Sequence, residues 1–92
     1  MNIYKVFKNK AFLQIQTRNF NTTLFEVDRD DVAWLAERNW QLRSNGTAVC
    51  AENKKAMTHL LYARWNGWEP KKIKHLDGDV TNCKIENLAC YN

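Results

Sequence analysis

The chain has 92 residues and a formal charge of +4. That length accommodates one small core and leaves no room for two. A hydrophobic content of 45% excludes a disordered polymer. No apolar run approaches the roughly 18 residues that a membrane span requires, and the N-terminus lacks the basic-then-apolar pattern of a secretory signal. No membrane partner and a cytoplasmic location are therefore expected.

Three cysteines, Cys50, Cys83 and Cys90, show no metal-type pair spacing. Their odd number argues against a disulfide framework, so buried free thiols are expected. Four Trp, three Tyr and four Phe are expected to supply much of the core.

In chain order, Ile3 to Phe7 and Phe12 to Gln16 read as strands. They are rich in aromatic and β-branched residues, with Lys8 to Lys10 as a polar turn between them. Thr22 to Val27 is a third short strand. Asp28 or Asp30 is then expected to cap a helix running to about Arg38, with Val32, Leu35 and Ala36 on one face. Trp40 to Arg43 and Thr47 to Cys50 flank Ser44-Asn45-Gly46 and read as a hairpin. Met57, Leu60, Leu61 and Trp65 form a stripe at helical spacing, which predicts a helix from about Ala56 to Trp65, stopped by Asn66-Gly67. Beyond Pro70, Lys72 to Leu76 reads as a short strand. A loop follows, then Asn82 to Leu88, then a last strand or tail ending at Asn92. The expected class is α+β, with small antiparallel strands and two helices in a single domain, 1–92. Residues 1–53 form a strand/helix/hairpin block, and residues 54–92 carry the most informative motif.

Charge is unevenly distributed. Glu26, Asp28, Asp30, Asp31 and Glu37 cluster early, whereas Lys54, Lys55, Arg64, Lys71, Lys72 and Lys74 cluster late. A basic C-terminal half suits phosphate, so these six cations are the candidate nucleic-acid-binding residues. Trp65 and Trp68 flank Asn66-Gly67. Both are expected in the core, with stacking of one on an unpaired base as the other reading. His59 is expected to play a structural or surface role. Asp77-Gly78-Asp79 reads as a turn, and Asn82 and Asn87 as side chains that tie a loop together.

The motif runs His75-Leu-Asp-Gly-Asp-Val-Thr-Asn-Cys-Lys-Ile-Glu-Asn87-Leu. It resembles the HNH endonucleases of the phage and intron-homing type, whose typical wording is Asp/Asn-His-Ile-Asp-Gly-Asn, a spacer, then Asn-Asn-Arg-Ile-Glu-Asn-Leu. His75, Asp77, Gly78, Thr81, Asn82, Ile85, Glu86, Asn87 and Leu88 fall in register with no gap. Upstream, the stretch from Phe25 to Leu35, Trp40 and the following hairpin resemble the block that precedes the motif in that family. Met57-Thr-His-Leu-Leu resembles the start of its Met-His-Arg-Leu-Ile helix. The resemblance spans about residues 22–90.

The resemblance implies a ββα-metal-like hairpin at the C-terminus, with His75 as general base, Asn87 holding its ring through the amide oxygen, and one divalent metal such as Mg2+. Imidazole titrates near neutral pH and a cation neutralises charge on phosphate, which is why that chemistry uses both. Two departures alter the expectation. Lys74 stands where the family places a metal ligand, and ammonium has no acceptor. The sequence also stops at Asn92, before the family's final ligand, so a truncated core is expected. Asp77 or Asp79 could replace one ligand. The reading is then a degenerate HNH protein that binds DNA or RNA, with no metal ligand assigned and no cofactor. Two alternatives stand beside it. One is a phage inhibitor of a host nucleoprotein defence complex, of the anti-CRISPR or anti-restriction kind. The other is a metal-dependent nickase with an altered site, using His75 and Asn87.

Overall fold

The inward set of the first sheet is Ala11, Leu13 and Ile15, every second residue of one strand, so its buried face is continuous. In the computed structural model, which describes residues 3–16 and 22–91, that strand is the centre of a three-stranded antiparallel sheet: β1 (Ile3–Phe7), β2 (Lys10–Gln16) and β3 (Thr22–Val27). Leu13 is opposite both Tyr4 and Phe25, and Ala11 is opposite both Val6 and Val27. β1 and β2 join through Lys8 and Asn9, with Lys8 at φ 55°.

A 3₁₀ turn (Arg29–Asp31) leads into the short helix α1 (Val32–Ala36). The sequence predicts a longer helix, capped by a side chain and reaching Arg38. Both features differ for identifiable reasons. The Asp28 carboxylate accepts from the Ile85 backbone N–H at 2.7 Å, so it does not cap the turn. The Leu35 carbonyl accepts from Arg38 N–H at 3.1 Å and from the Trp40 indole at 3.0 Å. A continuing helix would give that carbonyl to Asn39, whose N–H goes instead to Glu52 Oε1 at 3.3 Å. Ala36, expected on the apolar face, is exposed.

The predicted hairpin forms as β4 (Trp40–Leu42) and β5 (Ala48–Cys50), turning through Gly46 at φ 86°. The second predicted helix forms as α2 (Met57–Asn66), ended by Gly67 at φ 84°, whose N–H closes on Ala63 O at 2.8 Å. Met57 and Leu61 are buried among Leu13, Phe25, Leu35 and Leu88. Trp65 departs from the predicted stripe and is 45% exposed. The last pair is β6 (Lys72–His75) with β7 (Leu88–Tyr91), and a second 3₁₀ turn (Ile85–Asn87) precedes β7. Asn92, where the predicted last strand or tail ends, lies outside the described residues.

The whole is α+β, with two helices and seven short antiparallel strands among the described residues. None of the described helices is long and apolar enough to cross a membrane. Two expectations about composition are corrected. Of the four tryptophans, Trp40 is buried, Trp34 is half-buried, and Trp65 and Trp68 keep about half their surface in solvent. Cys50 and Cys83 are buried free thiols, but Cys90 is exposed.

One buried carboxylate joins the acidic and basic halves of the chain. Asp31 is 1% exposed and accepts from Arg64 Nε at 2.9 Å and from the Trp65 indole at 2.9 and 3.0 Å. This ties the start of α1 to the end of α2. Asp31→Ala leaves an arginine and an indole N–H without their acceptor. Because the Arg64 side chain is 38% exposed and water reaches it, the expected destabilisation is about 2–3 kcal/mol, the low end for a broken buried pair. Urea denaturation measures it.

Candidate functional site

The motif residues fill the long connection between β6 and β7. Leu76 N–H reaches Asn87 O at 2.8 Å and Gly78 N–H reaches His75 O at 3.0 Å, so the loop begins as a tight turn with Gly78 at φ 76°. Inside it the side-chain amide of Asn87 is fully used. Its Oδ1 accepts from Asp77 N–H at 3.0 Å, and its Nδ2 donates to Asp77 Oδ1 and to the Asn82 carbonyl, both at 2.9 Å. Asn82 Nδ2 donates to Asp77 Oδ2 at 2.9 Å. Asp79 Oδ1 takes the Thr81 hydroxyl at 2.7 Å and the Thr81 N–H at 2.9 Å. Asn82 and Asn87 thus tie the loop together, as expected from the sequence.

The loop is fastened to the N-terminal sheet. Glu26 N–H bonds Thr81 O and Cys83 N–H bonds Glu26 O, each at 2.8 Å, so residues 81–83 pair along the free edge of β3. Burial lifts the Asp28 carboxyl above its ordinary value, an effect opposed by its bond from Ile85 N–H. Burial also pushes the Cys83 thiol up to about 12, which keeps it protonated and inert.

His75 is half-buried, and its Nδ1 lies 3.0 Å from the Asn82 carbonyl oxygen. A carbonyl only accepts, so Nδ1 carries a proton, and in the neutral tautomer this leaves the lone pair at Nε2. The resemblance assigns ring-holding to the Asn87 amide oxygen. In the structure that oxygen faces Asp77 N–H, and the Asn82 carbonyl holds the ring. Asn87 acts one step removed, by bonding the same carbonyl.

Lys74 lies next to His75 in sequence but not on the same face. Strand alternation and the β6–β7 register put Lys72, Lys74, Ala89 and Tyr91 on the outer face, and Ile73, His75, Leu88 and Cys90 on the inner one. The Lys72 ammonium sits 5.9 Å from the Tyr91 ring centroid. His59 is half-buried, with Nε2 at 3.1 Å from the Lys71 carbonyl.

The six predicted cations divide into two groups. Arg64 is held by Asp31, and Lys55 by Glu69 at 2.8 Å. Lys54 reaches Gln41 Oε1 at 3.3 Å. Lys71, Lys72 and Lys74 are exposed and make no ion pair among the described residues. Tyr91, which sequence reasoning missed, joins them only through the strand register.

The donors beside His75 are largely committed to the loop. Both Asp77 oxygens and Asp79 Oδ1 accept hydrogen bonds within the loop, and Lys74 offers no lone pair. No group of three or more His, Cys, Asp or Glu side chains converges among the described residues.

Those loop bonds also set the acid response. Asn82, then Asp79 N–H and Asn87, hold the Asp77 carboxyl below its ordinary 3.8, and the Thr81 hydroxyl and N–H do the same for Asp79. A folded-state value below the unfolded one means stabilisation that is complete above about pH 4 and lost as pH falls through the folded value. The 76–87 loop amides are therefore expected to lose hydrogen-exchange protection below pH 4, and Asp77→Asn to remove part of that dependence. Asn87→Asp puts an acceptor where Asp77 and the Asn82 carbonyl need donors. It is expected to destabilise the fold by about 2–3 kcal/mol in urea denaturation at neutral pH. No family model matches this chain, and no curated protein or solved structure matches it significantly.

Proposed function

We propose that the protein binds nucleic acid without cleaving it, on a scaffold derived from an HNH nuclease. The observation that carries this reading is the outer face of the β6–β7 hairpin. Lys72 and Lys74 project there beside Tyr91 and Ala89, with no carboxylate opposite, and Lys71 precedes them. Phosphate oxygens are the natural complement of such a row. Of the adjoining loop's carboxylates, Asp77 and Asp79 are engaged by Asn82, Asn87 and Thr81, and Glu86 is paired with Lys84 at 3.1 Å. The resemblance supplies the rest of the reading: a nuclease frame whose polar shell persists while its metal-ligand position is an ammonium.

One observation favours a second reading, a nickase with an altered site. The Asn82 carbonyl holds His75 in the tautomer that a general base requires. That chemistry also needs a group to neutralise the leaving oxygen. Lys74, the nearest cation in sequence, lies on the opposite face of β6.

Binding is expected to fall steeply with salt. Lys72→Ala with Lys74→Ala is expected to lower the log–log salt slope by about two units, near one for each phosphate no longer neutralised. Fluorescence anisotropy against duplex and single strands measures both. No measurable binding to either at low salt would refute the proposal. Plasmid nicking with magnesium or manganese, abolished by His75→Ala, would establish the nickase in its place.

A further inference from the structure

Two tryptophans flank the turn that ends α2, and both keep about half their surface in water: Trp65 is 45% exposed and Trp68 is 51% exposed. Neither indole is loosely held. Trp65 Nε1 donates to both oxygens of the buried Asp31 carboxylate. Trp68 stands edge to face with Tyr62, with centroids 5.3 Å apart and ring planes at 79°. With its single donor satisfied, Trp65 offers solvent a π face and nothing else. Two such side chains within four residues leave apolar area in water that the core does not use.

Charge decides which of the two faces a polyanion approaches. Around Trp65 it is mixed, because Asp30 and Arg64 line with it an open hollow of about 290 Å³. Around Trp68 the nearest carboxylate in sequence, Glu69, is neutralised by Lys55 at 2.8 Å. Lys71 follows Trp68 by three residues, so their Cα atoms lie within about 11 Å of one another. Trp68 touches Tyr62, whose hydroxyl reaches Cys90 Sγ at 3.6 Å on the inner face of the hairpin, and Lys71 stands in sequence between Trp68 and the outer row of Lys72 and Lys74.

Resting on the nucleic-acid reading above, we infer that the ligand is single-stranded. Unpaired bases stack on Trp68, and Lys71, Lys72 and Lys74 follow the phosphates. Stacking distinguishes the strand states because every internal base of a duplex already has both faces covered, so an exposed indole face gains nothing from it. An unpaired base of any identity has a face to offer.

The test is fluorescence anisotropy with labelled oligo(dT), oligo(U) and a duplex of the same length at low salt, together with intrinsic tryptophan emission. The two single-strand arms separate DNA from RNA as the source of the same chemistry. Single strands are expected to bind at least about tenfold tighter than duplex and to quench tryptophan emission. Trp68→Ala is expected to weaken single-strand binding about tenfold and to leave duplex binding unchanged, while Trp68→Phe keeps most of the affinity. Duplex bound as tightly as single strand, with no quenching, overturns the single-strand inference and leaves the nucleic-acid proposal standing. No binding in any arm overturns both. The wild-type quenching and the Phe variant keep the test decisive even if the Ala variant fails to fold.

Discussion

An asparagine side chain has one amide oxygen and two N–H bonds, and Asn87 uses all of them inside one loop. Its partners are the main chain and carboxylate of Asp77 and the carbonyl of Asn82. The residue is 6% exposed, so an unmade bond there would go without water as a substitute. The orientation of His75 depends on it at one remove, because the Asn82 carbonyl that Asn87 fixes is the one that holds the imidazole. The β6–β7 register depends on it too, since Asn87 closes the connection just before β7 begins. Hydrogen-bond stoichiometry at one side chain therefore supports the geometry of the ring, while strand alternation along β6 directs the lysines outward.

Much of this is legible in the sequence, and the reason differs from element to element. β1, β2 and β3 announce themselves through residue type and turn chemistry, and the buried alternation of Ala11, Leu13 and Ile15 follows directly. Gly67 marks the end of α2 because only a residue tolerant of positive φ fits there. α1 is shorter than its residues suggest because the groups that end it, the Trp40 indole and the Glu52 carboxylate, arrive from elsewhere in the chain. The loop's polar members are legible as a motif. The group that holds His75 is not, because a backbone carbonyl has no signature in sequence.

The basic cluster shows a similar limit. Six cations look alike in sequence, but pairing separates them. Arg64 finds Asp31 across 33 residues and Lys55 finds Glu69 across 14, Lys54 reaches the neutral Gln41 side chain, and Lys71, Lys72 and Lys74 form the exposed row along β6. The aromatic count misleads for a related reason. Large rings suggest a core, yet Leu13, Phe25, Leu35, Met57 and Leu61 already fill the interior, which leaves Trp65 and Trp68 on the surface. Buried Asp31 anchors one of them there.

The pairing of residues 81–83 with β3 has a kinetic meaning. Glu26 can complete its ladder only with a partner more than fifty positions downstream, and such a closure is entropically slow. As the polypeptide leaves the ribosome, the outer rim of the first sheet must wait, unpaired and open to a neighbouring strand, until Thr81 emerges. The late loop is thus also the guard of the early sheet, and a lesion that loosens it carries an aggregation hazard to the opposite half of the molecule.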